Sequence, residues 1–285
     1  MKLSFVKTLA FAAAASLALA SGAAQAAGGA KHPKDGGFSF EGPFGTFDQG
    51  QLQRGFKVYR EVCAACHSMN LVSFRNLGEK NGPFWSEEHS NPNDNPYVKA
   101  IAAEFEVADV DSETGDAITR KGTPADRLPS PYPNEAAARA GNGGAYPPDL
   151  SVMAKARHGG ADYIYSLLTG YRQPPAGLKV QPGVYYNPYM AGDLAAYWTG
   201  DHDHVPAGGF IAMPPPLADG QVTFDDGTRS TVEQQSKDVA AFIAWASDPK
   251  ATVRKQTGVS VMLYLALFAG ITYVSYRRIW RNVAH

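Results

Sequence analysis

Cys63-Ala64-Ala65-Cys66-His67 is the stretch on which the reading of this chain turns. Each sulfur can add across a haem vinyl group, and the imidazole that follows then lies under the iron as its proximal ligand, so the spacing is that of covalent c-type haem attachment. A structural zinc site needs about four ligands and usually more thiols; these are the only 2 cysteines in 285 residues. A thioredoxin-like pair needs no adjacent histidine and would follow a strand of a βαβ unit.

Outward from the motif, the pattern is mainly helical. Asp48 is placed to cap a helix on which Leu52, Phe56, Tyr59 and Cys63 recur at helical spacing, so that the motif arrives near its C-terminal end. Residues 76–95 read as loop, and Asn95-Pro96 starts a helix to about Val107. An acidic loop follows, then an extended stretch over Pro124–Pro133 and a short helix over 135–140. Asp149 is read as the cap of a helix through Arg157, broken by Gly159-Gly160 before a second helix that ends at Gly170. The long loop between Pro174 and Pro216 has the length of a functional one. A small β-hairpin is expected around Asp226-Gly227, within Val222–Thr228. Thr231 with Gln234 forms a capping box for a helix that runs through Trp245 to Asp248-Pro249.

The two ends are unlike the middle. Residues 1–26 carry Lys2 and Lys7, an apolar run from Leu9 to Ala20 and an Ala24-Gln25-Ala26 cleavage site, the features of a secretory signal peptide. Residues 257–276 hold no charge and, at ~1.5 Å per residue, span about 30 Å, enough for a bilayer core. The expected organisation is therefore a periplasmic haem domain over 27–249, a linker over 250–256, a transmembrane helix over 257–276 and a cytoplasmic tail over 277–285. The whole chain has a formal charge of −1, yet 27–249 holds all 27 acidic residues and only 18 of the 26 basic ones. Glu104, Glu106, Asp109, Asp111, Glu113 and Asp116 form a run without a basic residue. It reads either as a solvated loop or as a negative face that steers a basic partner.

With His67 on one side of the iron, the other axial position decides the chemistry. A thioether there makes an electron carrier, and an open position makes a site for ligands or peroxidase-like reactions. Of the methionines, Met153 falls in an expected helix, whereas Met190 and Met213 lie in the long loop. Met213 is followed by Pro214-Pro215-Pro216, which stiffen the chain, and is preferred, with Met190 as the alternative.

These motifs, together with Ala145-Tyr146-Pro147-Pro148-Asp149-Leu150-Ser151, Ala156-Arg157-His158-Gly159-Gly160-Ala161-Asp162-Tyr163, Ser166-Leu167-Leu168-Thr169-Gly170-Tyr171, Tyr186-Asn187-Pro188-Tyr189 and Phe224-Asp225-Asp226-Gly227-Thr228, resemble cytochrome c1, the haem subunit of the ubiquinol–cytochrome c oxidoreductase (cytochrome bc1) complex, in a bacterial version. The resemblance implies a c-type cytochrome core with long inserted loops, one haem c and a C-terminal anchor in the inner membrane. It implies electron transfer from the Rieske [2Fe–2S] protein to a soluble or tethered cytochrome c, with cytochrome b and membrane lipid as further partners and nucleic acid as none. Carried over by motif, Met213 is the sixth ligand, Arg157 pairs with a haem propionate, and Tyr163, Asn142, Pro147 and Pro148 line the pocket. The segment 190–209 is longer than in mitochondrial relatives, and its Asp201-His202-Asp203-His204 run reads as an exposed polar insert in preference to a metal site. The second cysteine pair that braces the methionine loop in some bacterial relatives is absent here.

Overall fold

The computed structural model describes residues 29–283, so the leader read over 1–26 and the last two residues of the tail lie outside it. The first helix, α1 (Gln49–Glu61), is capped by Asp48, whose carboxylate accepts from the Gln51 amide at 2.7 Å. Leu52, Phe56 and Tyr59 are buried, as their spacing requires. The helix stops at Glu61, before the motif, and Cys63–Ala65 form a separate 3-10 turn. In that turn the amides of Cys66 and His67 both donate to the Cys63 carbonyl, at 3.1 and 2.8 Å.

Helix α2 (Pro96–Ala103) starts on proline with the Asn95 side chain accepting from the Tyr97 and Val98 amides. It ends at Ala103 and not near Val107, because Val107 belongs to a strand. The expected acidic loop is a hairpin: β1 (Glu106–Val110) pairs antiparallel with β2 (Ala117–Lys121). Then come α3 (Glu135–Gly141), capped by Asn134, the single turn α4 (Met153–Ala156) and α5 (Gly160–Leu168). A second antiparallel pair joins β3 (Tyr185–Asn187) to β4 (Gly209–Ile211). Helix α6 (Val232–Ser247) is capped by the Thr231 hydroxyl, which accepts from the Gln234 amide at 3.1 Å, and α7 (Ala251–Ile279) closes the chain.

The hairpin expected at 222–228 does not form, and among the described residues the strands are those of the two pairs above. The turn itself is made, with Gly227 at φ +76°. Its flanks are used otherwise: Val222 and Phe224 are buried, while Asp225 and Asp226 reach Lys57 and Arg54 at 2.8 and 2.6 Å.

The described residues divide into two compact units, one of residues 29–33 with Ser166–Pro215, the other of Lys34–Tyr165 with residues 216–283. In the larger unit α1 packs on α6. Phe242 lies 5.6 Å from Phe56, 5.7 Å from Tyr59 and 5.5 Å from Trp245, measured between ring centroids. Aromatic pairs at such distances add about 0.5–1.5 kcal/mol each beyond their burial. Gly55 sets the approach of the two helices, since a Cβ there would fall 2.1 Å from the Asp238 carbonyl oxygen. The fully buried Asp238 carboxylate accepts from Arg54 Nε at 2.8 Å, Gln234 at 2.9 Å and Gln51 at 3.3 Å. Stranding one partner of such a buried pair costs about 3–5 kcal/mol, so the polar contacts fix the register in which the aromatic faces meet.

The smaller unit has its own core, Leu178, Tyr186 and Leu194 with Tyr197, Trp198, Val205 and Phe210 packed against it. Part of the 190–209 insert is thus interior. Its Asp201 carboxylate serves the Asp203 amide at 3.0 Å and His204 Nδ1 at 2.7 Å, both local contacts.

Helix α7 takes in the residues read as a linker, with Lys250 as its cap. Beyond Ser260 its apolar side chains, among them Met262, Leu263, Leu267 and Phe268, are exposed. Ala251–Asn282 is long and apolar enough to cross a membrane and fits a single-pass anchor.

Two outcomes follow from this packing. Gly55→Ala gains about 1 kcal/mol of helix propensity, but the added methyl meets backbone that no rotamer can relieve. The balance should be a loss of about 1–3 kcal/mol, read from the denaturant midpoint of the haem-loaded protein; a raised midpoint would mean that the helices have room. The Asp226 carboxyl is held down at about 2, first by the Thr228 amide and then by Arg54. A depressed folded pKa gives stability that is complete above the ordinary carboxylate range and is lost as pH falls through about 2. Asp226→Asn should therefore be less stable than the parent at pH 6, with the two acid-unfolding curves converging toward pH ~2.

Candidate haem site

The site is built on the turn that follows α1. Cys63 and Cys66 are both free thiols, half-buried. Burial, then the neighbouring Cys66, pushes the Cys63 thiol up to about 12, so it stays protonated at neutral pH. His67 is half-buried, and its Nδ1 lies 2.8 Å from the Pro148 carbonyl oxygen. A carbonyl can only accept, so Nδ1 carries the proton and Nε2 is left with its lone pair for a metal. Burial lowers the imidazole's pKa against the opposing pull of the Pro148 carbonyl and Asp149. The neutral, ligating form is thereby favoured.

Two unlinked thiols three residues apart and an imidazole committed through Nδ1 are a donor set that fits a c-type haem. Cys63 and Cys66 would hold its vinyl positions and His67 Nε2 one face of its iron.

Three residues that the sequence reading did not assign to the site frame the histidine. The carboxylate of Asp149 accepts from Ser68 Oγ, the Asn70 amide and the Ser151 amide, each at 2.8 Å. Burial opposes this charge, but the amides of Asn70 and Ser151 and the hydroxyls of Ser151 and Ser68 together hold it below the usual carboxylate range. Asp149 is therefore not the helix cap expected of it; α4 begins after Val152 without a side-chain cap. The sequence signal was present as Asp-x-Ser, the pattern of a side chain that accepts from the amide two residues on. Ser68 is the second residue and Tyr59 the third, its hydroxyl donating to the His67 carbonyl at 3.4 Å. Tyr59 was legible only as a buried helix position.

Arg157 and Tyr163 are brought together: burial raises the Tyr163 phenol pKa, and the charge of Arg157, then its hydrogen bond, oppose the rise. Arg157 is exposed, just past α4, and also donates to the Ala156 carbonyl at 3.1 Å. Asn142 closes α3, its side-chain amide donating to the Ala138 carbonyl at 2.7 Å and to the Tyr132 hydroxyl at 3.1 Å. Pro147 is half-buried and Pro148 exposed.

Met213 belongs to the smaller unit, half-buried, just after β4. Its backbone is held by packing where no disulfide exists. The Tyr171 hydroxyl donates to the Met213 carbonyl at 3.0 Å, β4 is paired along β3, and the Tyr186 hydroxyl donates to the Ala207 carbonyl at 2.7 Å. Gly208, at φ +116°, lets the chain pass where a Cβ would lie 2.5 Å from the Asn187 carbonyl oxygen. Met190 lies in the turn after β3, its amide donating to the Asn187 carbonyl at 3.2 Å.

The acidic run is largely compensated where it stands. Glu104 pairs with Arg60 at 2.8 Å, Glu106 with Lys121 at 3.9 Å and Asp109 with Arg120, while Asp111 accepts from the Glu113 and Thr114 amides.

A sequence profile of the Cytochrome C1 family matches residues 38–283. A cytochrome c1 of Rhodospirillum rubrum is 42% identical over 278 residues, which cover 94% of this chain and 97% of that protein. A mitochondrial cytochrome c1 heme protein of Solanum tuberosum is 44% identical over 238 residues, 84% of this chain and 81% of that protein. A cytochrome b/c1 of Bradyrhizobium diazoefficiens is 41% identical over 278 residues, 91% of this chain but only 37% of that longer protein.

Replacing Cys63 by Ser should leave one vinyl group unsaturated. The haem then stays attached through Cys66 alone, and the α band of its pyridine haemochrome moves to longer wavelength because conjugation is extended. The double variant Cys63→Ser, Cys66→Ser should release its haem into acidified acetone. Haem retained by the double variant would remove the thiols from this role.

Proposed function

The chain belongs to the cytochrome c1 family, whose members are haem electron-transfer subunits of the cytochrome bc1 complex with haem c covalently bound, and on that premise we propose a one-electron relay on the periplasmic side of a bacterial inner membrane. Electrons arrive from the Rieske [2Fe–2S] protein and leave to a soluble or membrane-tethered cytochrome c, with cytochrome b as the neighbour in the membrane. The observation that carries the reading is the hydrogen bond from His67 Nδ1 to Pro148 beside two free thiols.

The bound haem supplies the one-electron couple. Cys63 and Cys66 would hold it, and His67 and Met213 would ligate its iron, a pair that raises the reduction potential. Arg157 would pair with a propionate, as a guanidinium suits a carboxylate, and Tyr163, Asn142, Pro147 and Pro148 would line the pocket. No proton need be moved and no substrate need be gripped. The chain's part is to keep both ligands in place in either oxidation state, so that little rearranges as the electron passes. Tyr171 and the β3–β4 pair support the methionine side, and the turn after α1 supports the histidine side.

The leader read over residues 1–26 supports a domain over 27–249 outside the cytoplasm, with α7 as its anchor and residues 277–285 as a cytoplasmic tail. The surplus of carboxylates on the exported domain suits a basic electron acceptor. Within the acidic run, Glu113 and Asp116 are exposed and, among the described residues, lie outside the ion pairs that hold Glu104, Glu106 and Asp109, so they are the better placed to attract it.

Met213→Leu should lower the reduction potential and let the reduced haem bind carbon monoxide, both seen in optical redox titrations. A variant with unchanged potential that still excludes carbon monoxide would pass the role to Met190. Purified from membranes in mild detergent, the protein should bring a b-type cytochrome and a [2Fe–2S] protein and reduce cytochrome c with quinol. Isolation alone, with carbon monoxide bound, would favour a haem protein with an open distal site.

A further inference from the structure

We infer that Asp149 is a positioning residue for the haem: by gripping the chain directly after the proximal ligand, at Ser68 and Asn70, it fixes the Pro148 carbonyl on His67 Nδ1 and so sets the orientation and basicity of the imidazole. The inference rests on His67 being the iron's ligand.

The geometry is a closed ring. Ser68 follows the ligand directly in sequence, and Asp149 follows the carbonyl that the ligand engages. Asp149 Oδ2 accepts from Ser68 Oγ at 2.8 Å, and His67 Nδ1 meets Pro148 O at 2.8 Å, so two adjacent residues on each strand of chain are tied across to each other. The grip extends beyond the ring. The Asn70 amide reaches the same Oδ2, the Leu150 amide donates to the Ser68 carbonyl at 2.9 Å, and the Leu71 amide donates to Ser151 Oγ at 2.9 Å. On the other oxygen, the Ser151 amide holds the turn that Asp149 begins. Between these ties Met69 and Leu150 are buried, so the two segments cannot slide past each other in the loaded protein without exposing them.

Proline adds a second constraint. Pro147 and Pro148 each have φ fixed near −65°. The direction of the Pro148 carbonyl is then governed by its ψ, and the residue that pins the far side of that torsion is Asp149. An Nδ1–H hydrogen bond to a carbonyl orients a ligating imidazole and raises its basicity. A more basic ligand favours the ferric over the ferrous iron, so a looser Pro148 carbonyl should raise the potential. Loss of the Asp149 charge would raise it as well, and the test must separate the two.

The test uses the full chain with its haem attached. Asp149→Asn removes the charge and one acceptor; Asp149→Glu keeps the charge but is a methylene too long to hold Ser68, Asn70 and Ser151 together. For each, the midpoint potential, the g values of the ferric haem by electron paramagnetic resonance and the thermal midpoint would be measured. Both variants are expected to shift the g values and to raise the reduction equilibrium constant about tenfold, about 59 mV for a one-electron couple. A shift with Asn but none with Glu would leave only the charge and overturn the positioning role. A fall in thermal midpoint with potential and g values unmoved would overturn it too, leaving a structural brace. Should neither variant retain haem, Ser68→Ala removes one tie at unchanged charge and should give a smaller shift in the same direction; no shift would sink the inference. A parent protein whose ferric spectrum lacks a low-spin, histidine-ligated signature would instead remove His67 from the iron, before any variant is compared.

Discussion

The hydrogen bond from His67 Nδ1 to the carbonyl of Pro148 joins residues 81 apart in sequence. A local turn can present two thiols and an imidazole, but it cannot decide which ring nitrogen is free. That decision needs an acceptor from elsewhere in the chain, and Pro147-Pro148-Asp149-Leu150-Ser151 is brought alongside Ser68–Leu71 to supply it. The buried Met69 and Leu150 make this meeting favourable, and the Asp149 carboxylate gives it a register. The cost of burying that charge is met by several donors, as a buried charge requires.

The motif turn depends in turn on α1, and α1 on its contact with α6. Gly55 permits the close approach and the Phe56, Tyr59, Phe242 and Trp245 rings fill it. Arg54 then binds two carboxylates of different character, the buried Asp238 and the half-exposed Asp226. The first ties the two helices to each other, and the second draws the Phe224–Thr228 turn onto α1. The Met213 segment has a different kind of support: a short strand pair and tyrosine hydroxyls aimed at backbone carbonyls, in a unit with its own small apolar core. Directional hydrogen bonds there take the place of the covalent brace that the sequence lacks.

Most local signals were legible, Asp149 being the exception, and long-range ones were not. Asp48, Asn95 and Thr231 cap helices as read, because a cap is settled within four residues by a side chain and the amides beside it. The acidic stretch was read as a loop because its strands are polar and half-exposed, with no alternation strong enough to announce them. Their pairing depends on partners such as Arg120 for Asp109 and Lys121 for Glu106, which appear only when the hairpin closes. Asp226-Gly227 makes the turn its sequence promises, but the flanking Val222 and Phe224 are drawn into the core and leave no strands to pair.

The sequence by itself determined the haem chemistry, the helical character of the domain and the apolar C-terminal helix, since each follows from residue type at short spacing. Tertiary structure alone decided which nitrogen of His67 is free, that Asp149 grips the motif in place of capping a helix, and how the Met213 segment is held without a disulfide. These are questions of which distant backbone groups meet. The answer lies in the packing of one segment on another, and no pattern within a single segment contains it.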